Sequence, residues 1–572
     1  MCGICVVAGE VSRFEPADDC GGGAGPELSN QSKTLLCRRG PDAFDSTVVR
    51  CCEERRRLSV WASVLHMRGA QLTAQPIATN SGNMLLFNGE IYERQCACHG
   101  DSNNSTCTCT VANVEPEEND AKCLLELLEN RDNPQTDIPA VISLLRGEFS
   151  LVYFEKSADV LWIAKDKIGR RSLLVSATTA ERPPVCVAFA SAQMSFVGNN
   201  SPNLQNWTEI PGGIVIRMQL NDFSVRIYRL TDSNLDTSRF KWFPGQIDVC
   251  SHRMELADPL LRVSPQQVSH FDSTTIVERI TRELEQAVAR RLIQHDHANH
   301  APNIAVLFSG GLDSTILAAL AHRRLPSNVA IDLITVAFGS DEAAFCSAPD
   351  RQTADAAVQV LRAKYPQRAW RHRCVGVSER QLQVCRAAHI ARLIAPACTV
   401  LDDTIGCALW FAARGYSNCE LSTREADATG APRVLLVGAG ADELFAGYAR
   451  HRTKFQQFGR EALRAEMELD LRRLWLRNLG RDDRVMADHG KEPRYPYLDE
   501  ALVRLVNELP LEMKCDLTQP RGVGEKWLLR RVALHLGLHA VASLPKRAIQ
   551  FGSRIAKLES AREKASDLCE RL

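Results

Sequence analysis

Two stretches of the sequence carry side chains whose types and spacing could support catalysis. The chain starts Met1-Cys2-Gly3, so removal of Met1 would leave a thiol and a free α-amino group on the same residue. An α-amine has a pKa of about 8, low enough to take the proton of the adjacent thiol, directly or through water. The resulting thiolate can attack a carbonyl carbon. We therefore predict that Cys2 is a nucleophile.

The second stretch reads Ser-Gly-Gly-Leu-Asp-Ser at positions 309–314, after an apolar strand predicted at 304–308 and before a helix predicted at 315–325. Glycines let the backbone approach a phosphate closely, and the N–H groups at a helix start face the anion. The Asp313 carboxylate can hold a magnesium ion on a pyrophosphate. A Walker-type lysine is absent, so this is not a kinase-like phosphate loop. The stretch predicts that Ser309, Gly310, Gly311, Asp313 and Ser314 bind a pyrophosphate group together with Mg²⁺.

Polar residues elsewhere in the first part of the chain could hold the substrate of Cys2. Asn88-Gly89 follows an apolar strand, where an amide side chain and a backbone N–H can point together at an oxyanion. Arg68 could bind the α-carboxylate of glutamine through a forked pair, and Glu90 or Asp120 could bind its α-ammonium group. Each of these residues could instead belong to a structural turn or a charged surface.

Four motifs occur in an order that resembles the class II glutamine amidotransferases. They are Met-Cys-Gly-Ile at 1–4, Arg-Gly-Pro-Asp at 39–42, Asn-Gly-Glu-Ile-Tyr at 88–92 and Lys-Asp-Lys-Ile-Gly-Arg-Arg at 165–171. Over roughly its first 230 residues the chain is similar to the glutaminase half of asparagine synthetases. The resemblance implies that Cys2 is the nucleophile, that Asn88 and Gly89 form the oxyanion hole, and that glutamine is bound by Arg68, Glu90 and Asp120.

The second half resembles the synthetase half of the same family, whose glycine loop binds the pyrophosphate of ATP. The resemblance implies that Leu307 and Phe338 flank the adenosine, with Val437 and Gly438 beside it. Residues 440–448 match a second family signature, in which Asp442 is a magnesium ligand, and 496–499 and 524–526 match two more. In the last of these, Lys526 would neutralise the departing pyrophosphate. Residues 348–351, 401–407 and 545–554 are similar to asparagine synthetase domain-containing proteins, a divergent branch.

Two positions depart from the standard synthetase pattern. Ala439 stands where those enzymes carry a glutamate that is thought to handle protons, which a methyl group cannot do. Asp402 and Asp403 lie in a stretch that is rich in Thr and Arg in the standard enzymes, and two carboxylates there would repel an acceptor carboxylate unless magnesium intervened. Aspartate as the acceptor is therefore less well supported than the ATP chemistry.

The hydrophobic pattern predicts two different domains. Short apolar runs at 4–8, 85–87, 149–154 and 160–164 predict strands, with helical pieces at 124–128 and 143–146. A polar stretch that contains several prolines follows. After it, a helix with an apolar stripe from Ile276 to Leu292 precedes apolar strands at 304–308, 333–338 and 434–437. We predict a glutaminase domain at 2–230, a linker at 231–272 and a synthetase domain at 273–572. The resemblance implies an Ntn-type α/β/β/α sandwich followed by an α/β domain with a mainly parallel sheet, like the adenine nucleotide alpha-hydrolases.

The composition excludes several other classes of protein. The 572 residues are 45% hydrophobic and 24% charged, and the formal net charge is +0. A nucleic-acid-binding protein usually carries an excess of basic residues, so the zero net charge disfavours that class. No apolar run reaches the roughly 20 residues of a membrane span, and the N-terminus lacks a signal pattern, so we expect a cytoplasmic protein. The 21 cysteines are then expected to be thiols. Residues 95–119 read as a surface insertion, whose Cys96, Cys98, Cys107 and Cys109 have tighter spacing than zinc sites usually show.

The expected reaction is glutamine-dependent asparagine synthesis. Cys2 would release ammonia from glutamine, ATP with magnesium would adenylate aspartate, and the ammonia would displace AMP after passing through a shielded channel, as in the family. The products would be asparagine, glutamate, AMP and pyrophosphate. Two alternatives stay open: an amidotransferase acting on another acceptor, and a scaffold that binds glutamine or ATP without turnover. The sequence leaves the oligomeric state open.

Overall fold

The computed structural model divides the chain into two compact units. The first comprises Met1–Pro259 and Trp475–Arg484, and the second comprises Leu260–Leu474 and Val485–Leu572. The structure describes residues 2–10, 26–94, 112–113, 118–130, 137–178, 186–197, 204, 206–231, 247–249, 258–263, 273–292, 304–416, 431–558 and 564–572. Most of the predicted insertion 95–119, including its four cysteines, and most of the predicted linker lie outside the described residues.

Two large sheets form the centre of the first unit. One has six strands in the order β13-β10-β11-β1-β4-β3, and the other runs β16-β15-β14-β9-β8-β6-β5 with β7 paired to β6. A small third sheet pairs β2 with β12. The strands are β1 Gly3–Glu10, β2 Glu27–Leu28, β3 Ala43–Cys51, β4 Arg56–Val64, β5 Ile77–Ala78, β6 Met84–Arg94, β7 Ala112–Asn113, β8 Leu145–Glu155, β9 Val160–Lys165, β10 Leu174–Ala177, β11 Cys186–Ala190, β12 Phe196–Val197, β13 Thr208–Glu209, β14 Ile214–Gln219, β15 Val225–Arg229 and β16 Ile247–Val249.

The two large sheets stack face to face because both sides of their central strands are apolar. Alternate residues of β1, such as Ile4 and Val6, share one core with Leu86 of β6 and Val152 of β8. The outer face of the second sheet is covered by α2 (Asp120–Glu129) and α3 (Ile138–Ser143), and α1 (Asn30–Arg39) lies beside β4, where Ser63 Oγ donates to the Leu36 carbonyl at 2.6 Å. This confirms the predicted α/β/β/α sandwich.

Buried charges join the helix Gly480–Ala487 to the rest of the first unit. Asp483 is fully buried and forms ion pairs with Arg39 at 3.0 Å and Arg171 at 3.7 Å. Its Oδ2 atom also accepts from the Ser172 backbone N–H at 3.1 Å. A buried ion pair of this kind strongly destabilises a protein when one partner is removed, by about 3–5 kcal/mol. Asp483 is therefore part of the structure of the first unit, although it follows Pro259, the last residue of that unit's main segment, by more than 200 residues.

A wholly parallel sheet of five strands in the order β19-β18-β17-β20-β21 organises the second unit. Its strands are β17 Ile304–Leu307, β18 Ile331–Phe338, β19 Trp370–Val377, β20 Val434–Leu436 and β21 Glu492–Arg494. The helices of this part of the chain are α4 Ser273–Leu292, α5 Leu312–Arg324, α6 Glu342–Cys346, α7 Pro349–Lys364, α8 Glu379–Cys385, α9 Ala391–Ile394, α10 Val400–Arg414, α11 Ala441–Leu444, α12 Ala449–Leu474, α13 Gly480–Ala487, α14 Glu500–Glu508, α15 Leu511–Lys514, α16 Trp527–His535, α17 His539–Ala542, α18 Ile549–Gly552 and α19 Ile555–Leu558. Of these, α13 begins in the first unit and ends in the second. The helix α12 is broken at Gly459, where φ is 78°. This confirms the predicted α/β fold with a parallel sheet.

The strand order defines where a ligand can bind in the second unit. The chain runs from β17 outward through β18 to β19 and then crosses to β20 on the other side of β17. In open α/β sheets, ligands bind in the crevice outside the carboxyl ends of the strands at such a reversal point. The glycine loop 309–314 follows β17 and Val437-Gly438 follows β20, so both predicted nucleotide-binding stretches lie at this point.

No helix among the described residues is long and apolar enough to cross a membrane.

Lys514, at the end of α15, gives a prediction about stability. Its ammonium group is completely buried and has no hydrogen-bond partner among the described residues. Burial lowers the pKa of Lys514 from 10.5 to about 7, with a small opposing effect from Cys515. Between these two pH values the unfolded chain binds more protons than the native protein, so the penalty is complete below pH 7 and shrinks as the pH rises.

We expect Lys514→Met to stabilise the protein at pH 7 by on the order of 3 kcal/mol and to have little effect near pH 10. Urea unfolding of the wild type and the variant at both pH values measures this difference. Lys557→Met, at an exposed position of α19, is the matched control and should change stability very little. Equal stability of the wild type and Lys514→Met at neutral pH would contradict the burial argument.

Candidate functional site

Cys2 lies at the start of β1, against the middle of β6. Its backbone nitrogen donates to Asn88 Oδ1 at 2.9 Å, and its side chain is buried. The next two backbone N–H groups are also held by side chains, since Gly3 donates to Ser63 Oγ and Ile4 to Ser191 Oγ. Three polar side chains from different strands and loops therefore fix the backbone of residues 2, 3 and 4.

Asn88 and Gly89 are brought to Cys2 as the sequence predicts. Because Asn88 Oδ1 accepts from Cys2, the amide nitrogen Nδ2 faces the other way, and it is buried without a hydrogen-bond partner among the described residues. Gly89 has φ of 137°, and a Cβ there would lie 1.9 Å from the Glu148 carbonyl oxygen. Only glycine fits at this position. The pair thus leaves an amide donor beside the thiol, as an oxyanion site requires.

Arg68, Glu90 and Asp120 gather next to this pair, around Ile91 of β6. Arg68 donates to the Ile91 carbonyl at 2.8 Å and lies 3.6 Å from Glu90, while Asp120 Oδ2 accepts from the Ile91 N–H at 3.0 Å. All three side chains are buried. The arrangement brings one guanidinium and two carboxylates together, which is the charge pattern that the two ends of a free amino acid would need.

Gln75 is a further contact of the thiol that the sequence analysis missed. Its Nε2 atom donates to Cys2 Sγ at 3.5 Å, and its Oε1 atom accepts from the Phe87 N–H at 2.7 Å. The side chain therefore links the sulfur to the strand that carries Asn88. A lone glutamine in a loop has no spacing or composition that would have singled it out.

We expect Asn88→Ala to lower kcat for glutamine hydrolysis by about 10²–10³-fold, because an oxyanion donor acts mainly in the transition state. KM should change much less, since the contacts of Arg68, Glu90 and Asp120 remain. Steady-state glutaminase kinetics measure both constants. Asn83→Ala is the matched control: Asn83 lies just before β6 and donates to Glu129, with no contact to Cys2 in the structure. Similar kcat values for the two variants would contradict a role for the Asn88 amide.

The glycine loop of the second unit turns tightly between β17 and α5. Gly310 has φ of 70°, and a Cβ there would lie 2.4 Å from the Thr353 carbonyl. Ser309 Oγ accepts from the Gly311 N–H, and Ser314 Oγ donates to the Gly311 carbonyl, both at 3.4 Å. Gly311 caps the start of α5. The loop therefore presents backbone N–H groups and two hydroxyls at a helix N-terminus, as a phosphate site does.

Asp313, Asp442 and Lys526 meet at the start of α5. The Lys526 ammonium lies 2.6 Å from Asp313 Oδ2 and 2.8 Å from Asp442 Oδ1. Lys526 has φ of 55° and lies at the start of α16. Its backbone N–H donates to the Phe445 carbonyl at 2.9 Å. Gly438 is also close, since a Cβ there would lie 3.3 Å from Asp313 Cβ. Residues 313, 438, 442 and 526, which the sequence predicts for the ATP site, are thus neighbours.

The charges of this cluster are strongly coupled. Burial raises the pKa of Asp442, but the ammonium groups of Lys526 and Lys546 outweigh it and hold that pKa below its usual range. Burial likewise opposes the charge of Lys526, but Asp313 and Asp442 raise its pKa well above the ordinary value. For Asp313, burial and the neighbouring Asp442 carboxylate raise the pKa against the effect of Lys526. The two carboxylates and the two ammonium groups therefore form one coupled cluster, in which Asp313 is the carboxyl group whose ionised form is disfavoured.

The Asp313 carboxylate fits a magnesium ligand. The Asp313 Oδ1 atom is buried and has no hydrogen-bond partner within the described part of the chain, and hard carboxylate oxygens are the ligands that Mg²⁺ prefers. Asp313 and Asp442 are the residues that would hold the ion. When bound, magnesium would offset the negative charge of a polyphosphate at this point.

Three residues of this site are not among those predicted for it. Lys546 lies 3.2 Å from Asp442 Oδ2, and Tyr497 donates its hydroxyl to the Asp313 carbonyl at 3.0 Å. Gly447 leaves room for the cluster, because a Cβ there would lie 2.0 Å from Asp442 Oδ1 and 2.3 Å from Lys526 Cε. Tyr497 and Lys546 fall in motifs that the sequence analysis noted without assigning these contacts.

The residues predicted to flank the adenosine come from the ends of adjacent strands. Leu307 ends β17, Phe338 ends β18 and Val437 follows β20. The Phe338 ring is buried and packs edge-on against Phe411 at 5.9 Å between ring centroids, whereas Leu307 is half-buried. The three residues therefore lie along the same edge of the sheet. The Phe338 ring, however, packs against Phe411 in the core.

Asp402 and Asp403, which the sequence analysis expected to meet the acceptor, both have partners within the second unit. Asp402 belongs to the capping box of α10, where its carboxylate accepts from the Thr399 hydroxyl at 2.6 Å. Asp403 is fully buried and pairs with Arg386 at 2.8 Å and with Arg571 at 3.4 Å. Both carboxylates are already satisfied inside the fold. Ala439 lies in the loop after β20, where no carboxylate replaces the glutamate of the standard enzymes at that position.

Comparisons with known proteins agree with this two-part organisation. The family model for asparagine synthase matches residues 279–459 and 453–572, and the model for a glutamine amidotransferase domain matches residues 56–197.

Several curated proteins match over most of their length. Asparagine synthetase domain-containing protein 1 of Bos taurus is 34% identical, covering 100% of this chain and 98% of that protein. The Homo sapiens protein of the same name is 35% identical, covering 89% and 90%. The glutamine-hydrolyzing asparagine synthetase of Gallus gallus is 25% identical, covering 93% and 80%. The chain therefore belongs to the asparagine synthetase family, among the asparagine synthetase domain-containing proteins.

Proposed function

We propose that this protein is a glutamine-dependent ligase that forms an amide on an ATP-activated carboxylate, and that aspartate is the acceptor. Glutamine and aspartate would give glutamate and asparagine, while ATP would give AMP and pyrophosphate. The observation that carries the proposal is the cluster of Asp313, Asp442 and Lys526, because Lys526 reaches both carboxylates within 2.8 Å. A pyrophosphate released beside the loop 309–314 would find there both an ammonium group and two magnesium ligands.

The first half-reaction is supported by the surroundings of Cys2. Removal of Met1 would convert the Cys2 nitrogen, which lies 2.9 Å from Asn88 Oδ1, into an α-amine next to the thiol. That amine could take the thiol proton and later return it to the leaving ammonia. The unpartnered Asn88 amide nitrogen would stabilise the oxyanion, and Arg68, Glu90 and Asp120 would bind the ends of glutamine.

The second half-reaction is supported by the charge balance at the start of α5. Asp313 and Asp442 would hold magnesium, which offsets the charge of the ATP phosphates. The loop residues Ser309, Gly310, Gly311 and Ser314 would bind the pyrophosphate part through backbone N–H groups and hydroxyls. Lys526 would then stabilise the charge that develops when the acceptor carboxylate displaces pyrophosphate from the α-phosphate.

The proposal is tested by incubating the purified full chain with glutamine, ATP, Mg²⁺ and aspartate. We expect glutamate, asparagine, AMP and pyrophosphate in equal amounts, and no AMP when aspartate is omitted. Glutamate formation without AMP from any acceptor would overturn the ligase proposal and leave a glutaminase. Absence of both products would favour the scaffold that binds without turnover.

A second acceptor class is favoured by one observation. Ala439 offers no proton acceptor where the standard synthetases carry a glutamate. A carboxylate acceptor that carries its own basic group would not need that glutamate. Labelled amide nitrogen from glutamine, followed into a panel of carboxylate acceptors by mass spectrometry, distinguishes this case from asparagine synthesis.

A further inference from the structure

A cluster of three metal-ligating side chains lies on β19, apart from the residues assigned to ATP. His372 and Cys374 are two residues apart on this strand and therefore point to the same face of the sheet. Asp355 of α7 covers that face. One donor atom of each residue, namely a carboxylate oxygen, an imidazole nitrogen and a sulfur, lies within 4.8 Å of the other two.

The imidazole of His372 is oriented by a hydrogen-bond chain. The Thr335 hydroxyl donates its single proton to the Phe308 carbonyl at 2.6 Å, so its oxygen must accept from His372 Nε2 at 2.9 Å. The proton of a neutral ring is then on Nε2, and the lone pair of Nδ1 points away from Thr335. Metal-binding histidines are held in the same way, with the second ring nitrogen donating to a fixed acceptor.

Nδ1 of His372 faces the Asp355 carboxylate. The distance between Nδ1 and Asp355 Oδ1 is 3.2 Å. A lone pair and a carboxylate oxygen repel one another at this distance unless a cation, either a proton on the ring or a metal ion, lies with them. Two ligands of one tetrahedral zinc ion are about 3.4 Å apart, given bond lengths of about 2.0–2.3 Å. The nitrogen and oxygen thus already have the separation that a shared ion needs.

We propose that Asp355, His372 and Cys374 bind a divalent transition metal ion of the zinc type. A mixed set of carboxylate, imidazole and thiolate donors suits Zn²⁺ or Co²⁺ and is unsuited to Mg²⁺ or Ca²⁺, which prefer oxygen ligands alone. Three protein ligands leave a fourth position for water. Binding would release the thiol proton of Cys374, so affinity increases with pH.

The guanidinium groups of Arg351 and Arg362 are neighbouring charges that oppose a bound cation. Arg351, one turn before Asp355 on α7, lies 3.3 Å from Asp355 Oδ2, the oxygen that does not face His372. The side chain of Asp355 is about half exposed, so water weakens its ion pair with Arg351. A metal ion would compete with this guanidinium for the Asp355 carboxylate. Removing it should therefore tighten metal binding, which gives the proposal a variant that gains function.

The test is a titration of Co²⁺ into the metal-stripped full chain, followed by absorbance. We expect a thiolate-to-cobalt charge-transfer band in the near ultraviolet and one bound equivalent that disappears in Cys374→Ser. His372→Gln and Asp355→Asn should weaken that equivalent at least tenfold, and Arg351→Gln should strengthen it. Asp355 is exposed enough that its replacement should leave the fold intact, which circular dichroism checks.

Cys398→Ser is the matched control, because Cys398 is an exposed thiol outside the cluster. The difference between variants also separates this site from the many other cysteines of the chain. The proposal is overturned if Cys374→Ser and His372→Gln bind as many equivalents of Co²⁺ as the wild type with the same spectrum, or if Cys398→Ser loses as much as they do. Zinc should also raise the melting temperature of the wild type but not that of His372→Gln.

Discussion

Replacement of Cys2 by serine is expected to abolish glutamine hydrolysis, with kcat falling by about 10³-fold or more. Serine keeps the α-amine and the contact of the backbone nitrogen with Asn88, which measures 2.9 Å. It lacks only the easily ionised sulfur, because a hydroxyl is far less acidic than a thiol at neutral pH. Glutamate release from glutamine, measured with and without ATP, gives the size of the loss.

The Cys2→Ser variant should keep ammonia-dependent ligation, because ammonium salts supply the nitrogen without a glutaminase. This result separates a specific loss at Cys2 from unfolding. Cys37→Ser, at a half-buried cysteine of α1, is the matched control and should hydrolyse glutamine normally. A Cys2→Ser protein that still hydrolyses glutamine at the wild-type rate would rule out Cys2 as the nucleophile.

Replacement of Lys526 by methionine has the second large effect that we expect. It removes the ammonium that lies within 2.8 Å of both Asp313 and Asp442, so that the two carboxylates repel each other more strongly and less positive charge offsets the developing pyrophosphate. Loss of one preorganised charge at a transition state lowers kcat by about 10²–10³-fold. Pyrophosphate release in the presence of ATP, Mg²⁺ and aspartate measures this loss.

Glutamine hydrolysis at Cys2 should persist in Lys526→Met, which shows that the protein is folded. Lys546→Met should have a smaller effect, about tenfold, because Lys546 forms an ion pair with Asp442 at 3.2 Å, whereas Lys526 pairs with both carboxylates. Lys557→Met, at an exposed lysine, should be unaffected. Pyrophosphate release by Lys526→Met at the wild-type rate would show that the lysine has only a structural role.

Some strands of both units were predictable because their apolar runs are short and uninterrupted, whereas others, such as β4 and β19, were not predicted. The predicted strands at 4–8, 149–154 and 333–338 lie inside β1, β8 and β18. The helical piece expected at 143–146 was wrong: α3 ends at Ser143 and β8 begins at Leu145. There Arg146 reaches across to Glu93 of the neighbouring strand at 3.2 Å, a contact that a local pattern cannot contain.

The candidate site was predictable where motifs carry it and unpredictable where tertiary contacts do. Motifs singled out Cys2, Asn88, Asp313, Asp442 and Lys526, and the structure brings them together in two clusters. The sequence did not reveal that Gln75 contacts the sulfur, because nothing local marks that residue. The sequence also did not reveal that the Asp403 carboxylate pairs with Arg386 and with Arg571, which lies far from it along the chain.

The buried position of Asp483 has a consequence for how the protein is made. Arg39 and Arg171 belong to the part of the chain that the ribosome releases first, yet the carboxylate that pairs with both follows more than 300 residues after Arg171. The first unit must therefore wait, incompletely assembled, while most of the second unit is translated. A gene fragment that stops at Pro259 would encode a first unit in which Arg39 and Arg171 lack the Asp483 carboxylate, so this unit cannot be cut free intact by ending the gene there.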